Sequence, residues 1–386
     1  PFAHHMVLNT TFSAIKSFGQ PTLEKMNYFD QNKIYAELNL NPALWRQTEM
    51  PKLKGKNLII FILESFSSEY ITPENTPFFL KLAEKGSYFS KSYANGRRSI
   101  EGIASIMAGV PALMEEPFVN SEFATNDFVG LGNLFKKNGY HTSFFHGAKN
   151  GSMRFDLFTK AAGFDHYYGL NEFPDKTKND GAWGIWDEDF LKWTCSQLGT
   201  FSAPFAATVF TLTSHQPYNI PENLKQKFSA GTHPVIQAIK YTDFALEQFF
   251  ECAKNQKWFA DSAFLFVADH TGPSLKTDPT FKSLYEVPIL FYAPDTNLNL
   301  STDQYAQHID VLPTLNDLFD LGLKNENHLS RSLYKVGQKT IALYSDHNFE
   351  LVGDTSLSDD KLKAIRQYYS QGLYDNRLYA PAMKGN

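Results

Sequence analysis

The chain has 386 residues, of which 42% are hydrophobic and 20% charged, as in an ordinary globular protein. Its net charge of −5 argues against a nucleic-acid-binding protein, because such proteins usually carry a basic excess. It contains no run of about 18 uncharged apolar residues, so no membrane span is predicted. It starts at PFAHHMVLNT without a signal-peptide pattern. We therefore expect either a cytosolic protein or a fragment of a longer one.

Apolar runs alternate with helical spacings along the chain. A helix is predicted at Thr22–Leu38, and the continuous apolar run LIIFIL (58–63) predicts a buried central strand. Helical spacing that ends at glycine follows at 76–86 and at 130–140. Further strands are predicted at 141–147, 205–214, 262–270 and 287–293, with an amphipathic helix at 238–250. This alternation predicts an α/β fold with a central, mainly parallel sheet flanked by helices.

We divide the chain into three segments. Residues 1–55 form a lead-in segment, and residues 56–325 form the α/β domain. Residues 326–386 turn polar and tyrosine-rich. We expect them to form a small C-terminal subdomain that packs on the same core and contains an antiparallel strand pair.

Cys195 and Cys252 are the two cysteines of the chain. Two cysteines exclude a disulfide framework and a cysteine-rich zinc site. A single bridge and two buried thiols both remain open, and we expect two free thiols.

Polar side chains follow four of the predicted strands directly. Glu64 follows LIIFIL, Asp269 and His270 follow FLFVA, His215 follows the strand that ends in TLTS, and His146 follows TSFF. A single carboxylate at a strand end is more often a helix cap, and a single histidine more often packs in the core. Several of them converging on the carboxyl edge of one sheet, where ligands bind in open α/β folds, predict a site for a divalent cation such as Zn²⁺ or Mn²⁺.

The stretch YANGRRSIEGIA (93–104) places Ser99 at the start of a predicted helix, directly after Arg97 and Arg98. A serine nucleophile needs a base or a metal to activate it, and a metal held at the strand ends would do so. The helix N-terminus would also offer N–H groups to an anion. We interpret Ser99 as a candidate nucleophile. For each arginine taken alone, we prefer a solvated or salt-bridged role over that of a phosphate clamp.

With these residues in place, the chain resembles the alkaline phosphatase/sulfatase superfamily, and within it the lipoteichoic acid synthase-like phosphoglycerol transferases. The resemblance covers roughly residues 55–320 and depends on a set of ordered blocks rather than on any one of them. The blocks are NLIIFILESFSSEY (57–70), YANGRRSIEGIASIMAGVP (93–111), FFHGAKNGSMRF (144–155), GAWGIWDEDFL (181–191), FTLTSHQPYNIP (210–221), AIKYTDFALEQFF (238–250), FVADHTGPS (266–274) and QHIDVLPTLNDL (307–318).

The resemblance implies one divalent metal ion, Mn, Mg or Zn, held by Glu64, Ser99, Asp269 and His270. It implies that Ser99 is also the nucleophile, a position usually occupied by threonine in the lipoteichoic acid synthases. The implied reaction has two steps. The hydroxyl attacks a phosphodiester head group and releases diacylglycerol, and an acceptor then takes the phosphoglycerol group from the serine.

Substrate contacts are implied for His215, and Arg98, Arg154 and His146 are further candidates for substrate binding. The sequence departs from the family after HisGly, where the teichoic acid synthases carry a tryptophan and an arginine. Met153 occupies the expected tryptophan position, and Arg154 is displaced by about one residue. The identity of the substrate therefore stays open.

Two other metal or cofactor assignments are not expected. Ser99 is followed by IEGI, so the C/S-x-P-x-R motif of formylglycine sulfatases is missing. His308 and Asp310 match the position of a second metal site in the phosphatases, and we expect them to be structural.

Members of this family normally carry N-terminal membrane helices and a catalytic domain outside the membrane. The resemblance implies that the lead-in segment follows a missing membrane region, and that PFAHHMVLNT is the linker after its last helix. It places the domain on the periplasmic or extracellular side of a bacterial cell membrane. The implied partners are an anionic phospholipid head group as donor and a glycan, a glycolipid or water as acceptor, with no nucleic acid.

Two alternative functions remain. One is a phosphatase, phosphodiesterase or sulfatase-like hydrolase of the same superfamily, which would share the first step. The other is a non-catalytic domain that has kept the fold. The presence of Glu64, Ser99, Asp269 and His270 argues against the second alternative.

Overall fold

The computed structural model describes residues 23–38, 45–228, 231, 233–353 and 357–381. The helices are α1 (Gln31–Glu37), α2 (Pro77–Ala83), α3 (Ser99–Ala108), α4 (Leu131–Lys137), α5 (Phe155–Ala161), α6 (Asp187–Leu198), α7 (Pro234–Ala253), α8 (Val311–Phe319) and α9 (Asp359–Tyr374). The strands are β1 (Arg46–Gln47), β2 (Asn57–Leu63), β3 (Ser87–Phe89), β4 (Ser92–Tyr93), β5 (His141–His146), β6 (His166–Tyr168), β7 (Phe205–Phe210), β8 (Ser262–Ala268), β9 (Ile289–Tyr292), β10 (Ala306–Gln307), β11 (Asn325–Asn327), β12 (Lys335–Val336), β13 (Thr340–Ser345), β14 (Asn348–Gly353) and β15 (Tyr379–Pro381).

The largest sheet of the described residues has seven strands in the order β3-β9-β8-β2-β7-β5-β6. The neighbours from β8 to β6 are parallel, whereas β9 runs antiparallel to both β8 and β3. The predicted central, mainly parallel sheet is therefore confirmed.

Helices cover both faces of this sheet, and β2 shows why its sequence is continuously apolar. Successive side chains of a strand point to opposite faces. Leu58 and Ile60 accordingly join a buried cluster that includes α3, α4 and α8, whereas Ile59 and Phe61 join a second cluster that includes α2, α6 and α7. Between Leu58 and Leu63 every side chain of β2 is therefore apolar, and polar residues come only at its two ends, Asn57 and Glu64.

The observed elements are shorter than several of the predicted ones. The helix predicted to start at Thr22, which lies outside the described residues, begins only at Gln31, after Asp30 caps it by accepting a hydrogen bond from the Lys33 N–H. The strand predicted at 205–214 ends at Phe210. The four residues that follow it, Thr211, Leu212, Thr213 and Ser214, are buried in a loop at the sheet edge.

The expectation of two free thiols is wrong. Cys195 in α6 and Cys252 in α7 form a disulfide, with their Cα atoms 6.5 Å apart. Both helices pack on the same face of the sheet, and this packing brings together two cysteines that are 57 residues apart in sequence. The sequence contained no local sign of that contact.

The C-terminal residues pack on the same core as the sheet. β13 and β14 form the expected antiparallel pair, and α9 contributes Ile365 and Tyr369 to the cluster beneath α3. The Gln367 side chain accepts hydrogen bonds from the backbone N–H groups of Tyr28 and Phe29, which ties α9 to the lead-in segment. The boundaries of the three segments remain predictions, and residues 1–22, with the predicted linker, lie outside the described residues.

Within the described ranges, none of the helices is both long enough and apolar enough to cross a membrane.

Candidate active site

The ends of two neighbouring strands place three of the predicted metal ligands together. Leu63 at the end of β2 is paired with Ala268 at the end of β8, so Glu64 and Asp269 leave the sheet side by side, and His270 follows. One carboxylate oxygen from each acid and one ring nitrogen of His270 all lie within 4.8 Å of one another. The register of one parallel strand pair therefore builds this cluster.

Ser99 is the first residue of α3, and it completes the group. Its Oγ lies 3.2 Å from Glu64 Oε2 and 3.2 Å from His270 Nε2. The helix reaches this position because Gly102 packs against the chain at Asp269. A Cβ atom at residue 102 would lie 2.1 Å from the Asp269 carbonyl oxygen.

Backbone and hydroxyl groups fix both carboxylates. The N–H groups of Ser65 and His270 each donate to Asp269 Oδ1 at 2.8 Å. The other oxygen, Asp269 Oδ2, is buried and has no hydrogen-bond partner among the described residues. Ser65 holds a left-handed backbone conformation (φ 54°), and its hydroxyl donates to Glu64 Oε1 at 2.7 Å.

The tautomer of His270 follows from its contacts. Its Nδ1 lies 2.8 Å from the carbonyl oxygen of Thr271. Because a carbonyl oxygen can only accept, Nδ1 carries the proton in the neutral ring. Nε2 therefore directs its lone pair toward Ser99 and the two carboxylates.

The electrostatics of this cluster suit a bound cation. Burial raises the pKa of the Glu64 carboxyl well above its usual range, and the adjacent Asp269 carboxylate raises that pKa further. The possible ligand atoms are carboxylate oxygens of Glu64 and Asp269 and the Nε2 lone pair of His270. The donor set thus contains oxygen and nitrogen but no thiolate. This set fits Mn²⁺, Mg²⁺ or Zn²⁺.

A cleft of about 660 Å³ lies over this cluster. Its lining includes Ser99, His270 and three of the residues predicted to bind substrate, Arg98, Arg154 and His215. The remaining residues that line it are Arg97, Ile100, Glu116, Asn120 and Met153. Arginine and histidine side chains thus dominate the polar lining.

His215 is held by an aromatic neighbour that was not predicted to belong to the site. Its ring lies 4.1 Å from that of Trp183, centroid to centroid, and the Trp183 indole N–H donates to the carbonyl oxygen of Gln216 at 2.7 Å. His215 Nδ1 lies 2.8 Å from that same oxygen. The signal was present in the GAWGIW block, but only the fold shows that Trp183 reaches the loop after β7.

His146 lies apart from the other predicted substrate residues. It is buried, its ring stacks on Phe210 at 4.9 Å, and its Nδ1 lies 3.1 Å from the hydroxyl of Tyr167. Burial lowers the pKa of His146 to about 3, so the ring is neutral at pH 7. His146 is not among the described residues that line the cleft.

Asp310 and His308 make protein contacts. The Asp310 carboxylate accepts hydrogen bonds from the N–H groups of Gln307 and Arg331 and forms a buried ion pair with Lys339. The backbone N–H of Asn95 donates a hydrogen bond to His308 Nδ1, with 3.3 Å between the two nitrogen atoms. The Asp310 oxygens are thus used in holding the chain after β10.

The sequence profile of the Sulfatase family matches residues 56–321, more than half of the chain. The chain therefore belongs to the sulfatase family, which is a family of enzymes. This agrees with the resemblance to the alkaline phosphatase/sulfatase superfamily that was inferred from the ordered blocks.

Curated relatives carry related names. The chain is 27% identical over 357 residues to lipoteichoic acid synthase 1 of Bacillus subtilis, a match that covers 81% of this chain and 54% of that protein. It is 26% identical over 347 residues to lipoteichoic acid synthase of Staphylococcus aureus, a match that covers 80% of this chain and 53% of that protein. The chain spans little more than half the length of these relatives.

Solved structures share the fold. A protein of the alkaline phosphatase superfamily from Vibrio parahaemolyticus gives a TM-score of 0.75 at 24% identity, with 92% of this chain and 98% of that chain covered. The lipoteichoic acid synthase LtaP of Listeria monocytogenes gives a TM-score of 0.73 at 17% identity, with 92% of this chain and 99% of that chain covered. The C-terminal periplasmic domain of EptC from Escherichia coli gives a TM-score of 0.59 at 17% identity, with 83% of this chain and 98% of that chain covered.

Proposed function

We propose that this domain transfers a phosphoglycerol group, or a related phosphoalcohol group, from an anionic phospholipid to an acceptor through a covalent ester on Ser99. The observation that carries the proposal is the position of the Ser99 hydroxyl. It lies at a helix N-terminus, within 3.2 Å of Glu64 and His270, on the wall of a cleft lined by arginines.

Glu64, Ser99, Asp269 and His270 would hold one divalent cation. When bound, such a cation polarises the phosphoryl oxygens and lowers the pKa of a coordinated hydroxyl. The buried Asp269 oxygen without a hydrogen-bond partner supports this assignment. So does the raised pKa of Glu64, because it shows that two buried carboxylates are costly to ionise side by side unless a positive charge joins them.

In the first step, Ser99 Oγ bonds to the phosphorus of the donor and the bond from phosphorus to the diacylglycerol oxygen breaks. That oxygen leaves with a proton. The Ser99 hydroxyl proton has two acceptors at 3.2 Å, Glu64 Oε2 and His270 Nε2. In the second step, an acceptor hydroxyl bonds to phosphorus and gives up its proton, and Ser99 Oγ leaves and is protonated again.

The charge of the cleft favours an anionic donor. Arg97, Arg98 and Arg154 line it together with His215, and Glu116 is the one acidic residue outside the metal cluster that does so among the described residues. Guanidinium groups suit phosphate oxygens because their N–H donors form a planar fork. We assign substrate binding to His215 and Arg154. Arg98 also lines the cleft, but Glu101 and the Glu115 carbonyl oxygen engage its guanidinium. The buried His146 is not among the described residues that line the cleft.

A location outside the cytoplasm, at the cell membrane of a bacterium, is part of the proposal. The names of the synthase relatives support a lipid-linked substrate. The disulfide between Cys195 and Cys252 supports an oxidising compartment, because such bonds are rare in the cytosol.

Hydrolysis is the second candidate, and the exposure of the cleft favours it. Ser99 and the Arg98 side chain, which is 54% exposed, line the same cleft of about 660 Å³, so water can enter the cleft beside an ester formed on Ser99. Both reactions share the first step. Product analysis with and without a glycolipid acceptor distinguishes them: phosphoglycerol on the acceptor indicates transfer, and free glycerol phosphate indicates hydrolysis.

The test is the mass of the protein after reaction with phosphatidylglycerol vesicles and Mn²⁺. We expect the wild type to gain one phosphoglycerol group and peptide mapping to place it on Ser99. Ser99→Ala should gain none, whereas Ser196→Ala, at an exposed serine of α6, should react like the wild type. Labelling of Ser99→Ala at the wild-type rate would show that the mechanism is wrong.

A further inference from the structure

The two arginines before Ser99 have different partners. The Arg98 guanidinium is engaged: its Nε donates to Glu101 Oε1 at 2.8 Å, its Nη2 pairs with the same oxygen, and Nη2 also donates to the carbonyl oxygen of Glu115 at 2.8 Å. These contacts tie the start of α3 to the loop that carries Glu115.

Arg97 has no such partner. Within the described ranges, its guanidinium makes no ion pair, and its Nε is buried without a hydrogen-bond acceptor. Buried donors in folded proteins are nearly always paired, so an unpaired one at a cleft is a candidate for contact with a ligand. Arg97 lines the same cleft as Ser99 and His270.

The Arg97 side chain has a firm support. The guanidinium carbon lies 5.5 Å from the centre of the Tyr285 ring. Tyr285 is itself buried, and its hydroxyl donates to the Tyr344 carbonyl oxygen in β13 at 2.7 Å. The Arg97 backbone N–H donates to Glu101 Oε2 at 2.7 Å. Main chain and side chain are therefore both held before any ligand arrives, which lowers the entropy lost on binding.

We propose that Arg97 is a substrate-binding residue that contacts the anionic phosphate of the donor, and that Arg98 mainly holds the nucleophile helix in place. This inference depends on the proposed function, because it concerns the phosphate that Ser99 attacks. An arginine with an unpaired Nε on a fixed aromatic support can offer two parallel N–H groups to a phosphate oxygen pair. Arg98 has already used those donors.

The experiment measures the rate at which Ser99 gains phosphoglycerol, by intact mass, as the phosphatidylglycerol content of vesicles is varied with Mn²⁺ present and no acceptor. Arg97→Ala and Arg97→Gln should raise the lipid concentration for half-maximal rate on the order of tenfold or more. Their melting temperatures should stay near that of the wild type. Arg377→Ala, at an exposed arginine outside the cleft, is the matched control and should change neither quantity.

The outcomes distinguish a failure of the proposed function from a failure of the Arg97 assignment. If the wild type gains no phosphoglycerol on Ser99, the proposed function is wrong. If the wild type reacts and both Arg97 variants keep its half-maximal lipid concentration, the assignment of Arg97 is wrong. Normal labelling followed by slow transfer to a glycolipid would also overturn it, since Arg97 would then serve the acceptor. If Arg97→Ala fails to fold, Arg97→Gln, which keeps most of the side-chain length, decides alone.

Discussion

The Ser99 hydroxyl lies 3.2 Å from Nε2 of His270, although 171 residues separate the two in sequence. The contact depends on two independent features of the fold. The strand register of β2 and β8 sets the position of His270, and the packing of α3 against the end of β8 sets that of Ser99. A change that moves either element should therefore affect the same chemistry.

Cation binding should stabilise the protein, because it offsets the repulsion between two buried carboxylates. We expect Mn²⁺ or Zn²⁺ to raise the melting temperature of chelator-treated protein, with a gain of about 2.7 kcal/mol at a hundredfold excess over Kd. Asp269→Asn should lose most of this gain, since it removes a charged ligand. Asp278→Asn, at an exposed site, should keep it. Differential scanning calorimetry across a cation titration is the measurement, and an equal gain in both variants would count against the assigned site.

Gly102→Ala should separate α3 from the end of β8. The added methyl group would lie 2.1 Å from the Asp269 carbonyl oxygen, a backbone atom that cannot turn aside. We expect a loss of about 1–3 kcal/mol in the free energy of unfolding and a large drop in activity, because Ser99 moves with the helix. Gly199→Ala is a suitable comparison, because the nearest atom there belongs to the flexible end of the Gln256 side chain. Wild-type activity in Gly102→Ala would contradict the assigned role of this contact.

Trp183 should act as a positioning residue for His215. Its removal leaves the His215 ring without the neighbour that lies 4.1 Å away and frees the Gln216 carbonyl oxygen from the indole. We expect Trp183→Ala to lower kcat/KM on the order of tenfold, and Trp183→Phe, which keeps an aromatic ring, to recover part of it. Steady-state kinetics with a separate melting curve measure this, and a loss of stability without a change in kcat/KM would mean a purely structural role.

Much of the fold could be predicted because a continuously apolar run indicates a strand that is buried on both faces of a sheet. LIIFIL is apolar throughout because β2 is covered on both faces, and Glu64 and Asp269 appear where two such strands end. The parallel register of the strands then brings the ligands together without further information. The Ser99 loop needed those strand ends in addition, because the stretch taken alone is typical of an ordinary turn.

What could not be predicted depends on contacts between distant segments. The disulfide between Cys195 and Cys252 required the packing of α6 on α7. The division of labour between Arg97 and Arg98 required the position of Glu101, whose carboxylate faces Arg98, and that of Tyr285 beneath Arg97. Adjacent residues of the same type look alike in a sequence and differ only in what the fold places beside them.

Asp243 should make the stability of the protein depend on pH. Its carboxylate lies in the buried interior between α7 and α2, where it accepts hydrogen bonds from the N–H groups of Phe78 and Phe79 at 2.9 and 2.8 Å. Burial raises the pKa of Asp243 to about 7 from 3.8. The folded state therefore holds a proton that the unfolded state releases between these two values.

The free energy of unfolding should accordingly fall as pH rises from about 4 to 7, because over that range the native state binds more protons than the unfolded state. The decrease due to Asp243 is at most about 4 kcal/mol. Asp243→Asn does not titrate, so its stability should change less with pH. It keeps one acceptor oxygen where the carboxylate uses Oδ1 for the Phe79 N–H and Oδ2 for the Phe78 N–H, so it should also be less stable than the wild type by an amount that does not depend on pH. Urea unfolding of both proteins at pH 4.5, 5.5, 6.5 and 7.5, values chosen around the range from 3.8 to about 7, gives the difference directly. A difference between wild type and Asp243→Asn that stays constant across these pH values would show that the carboxyl does not titrate in this range.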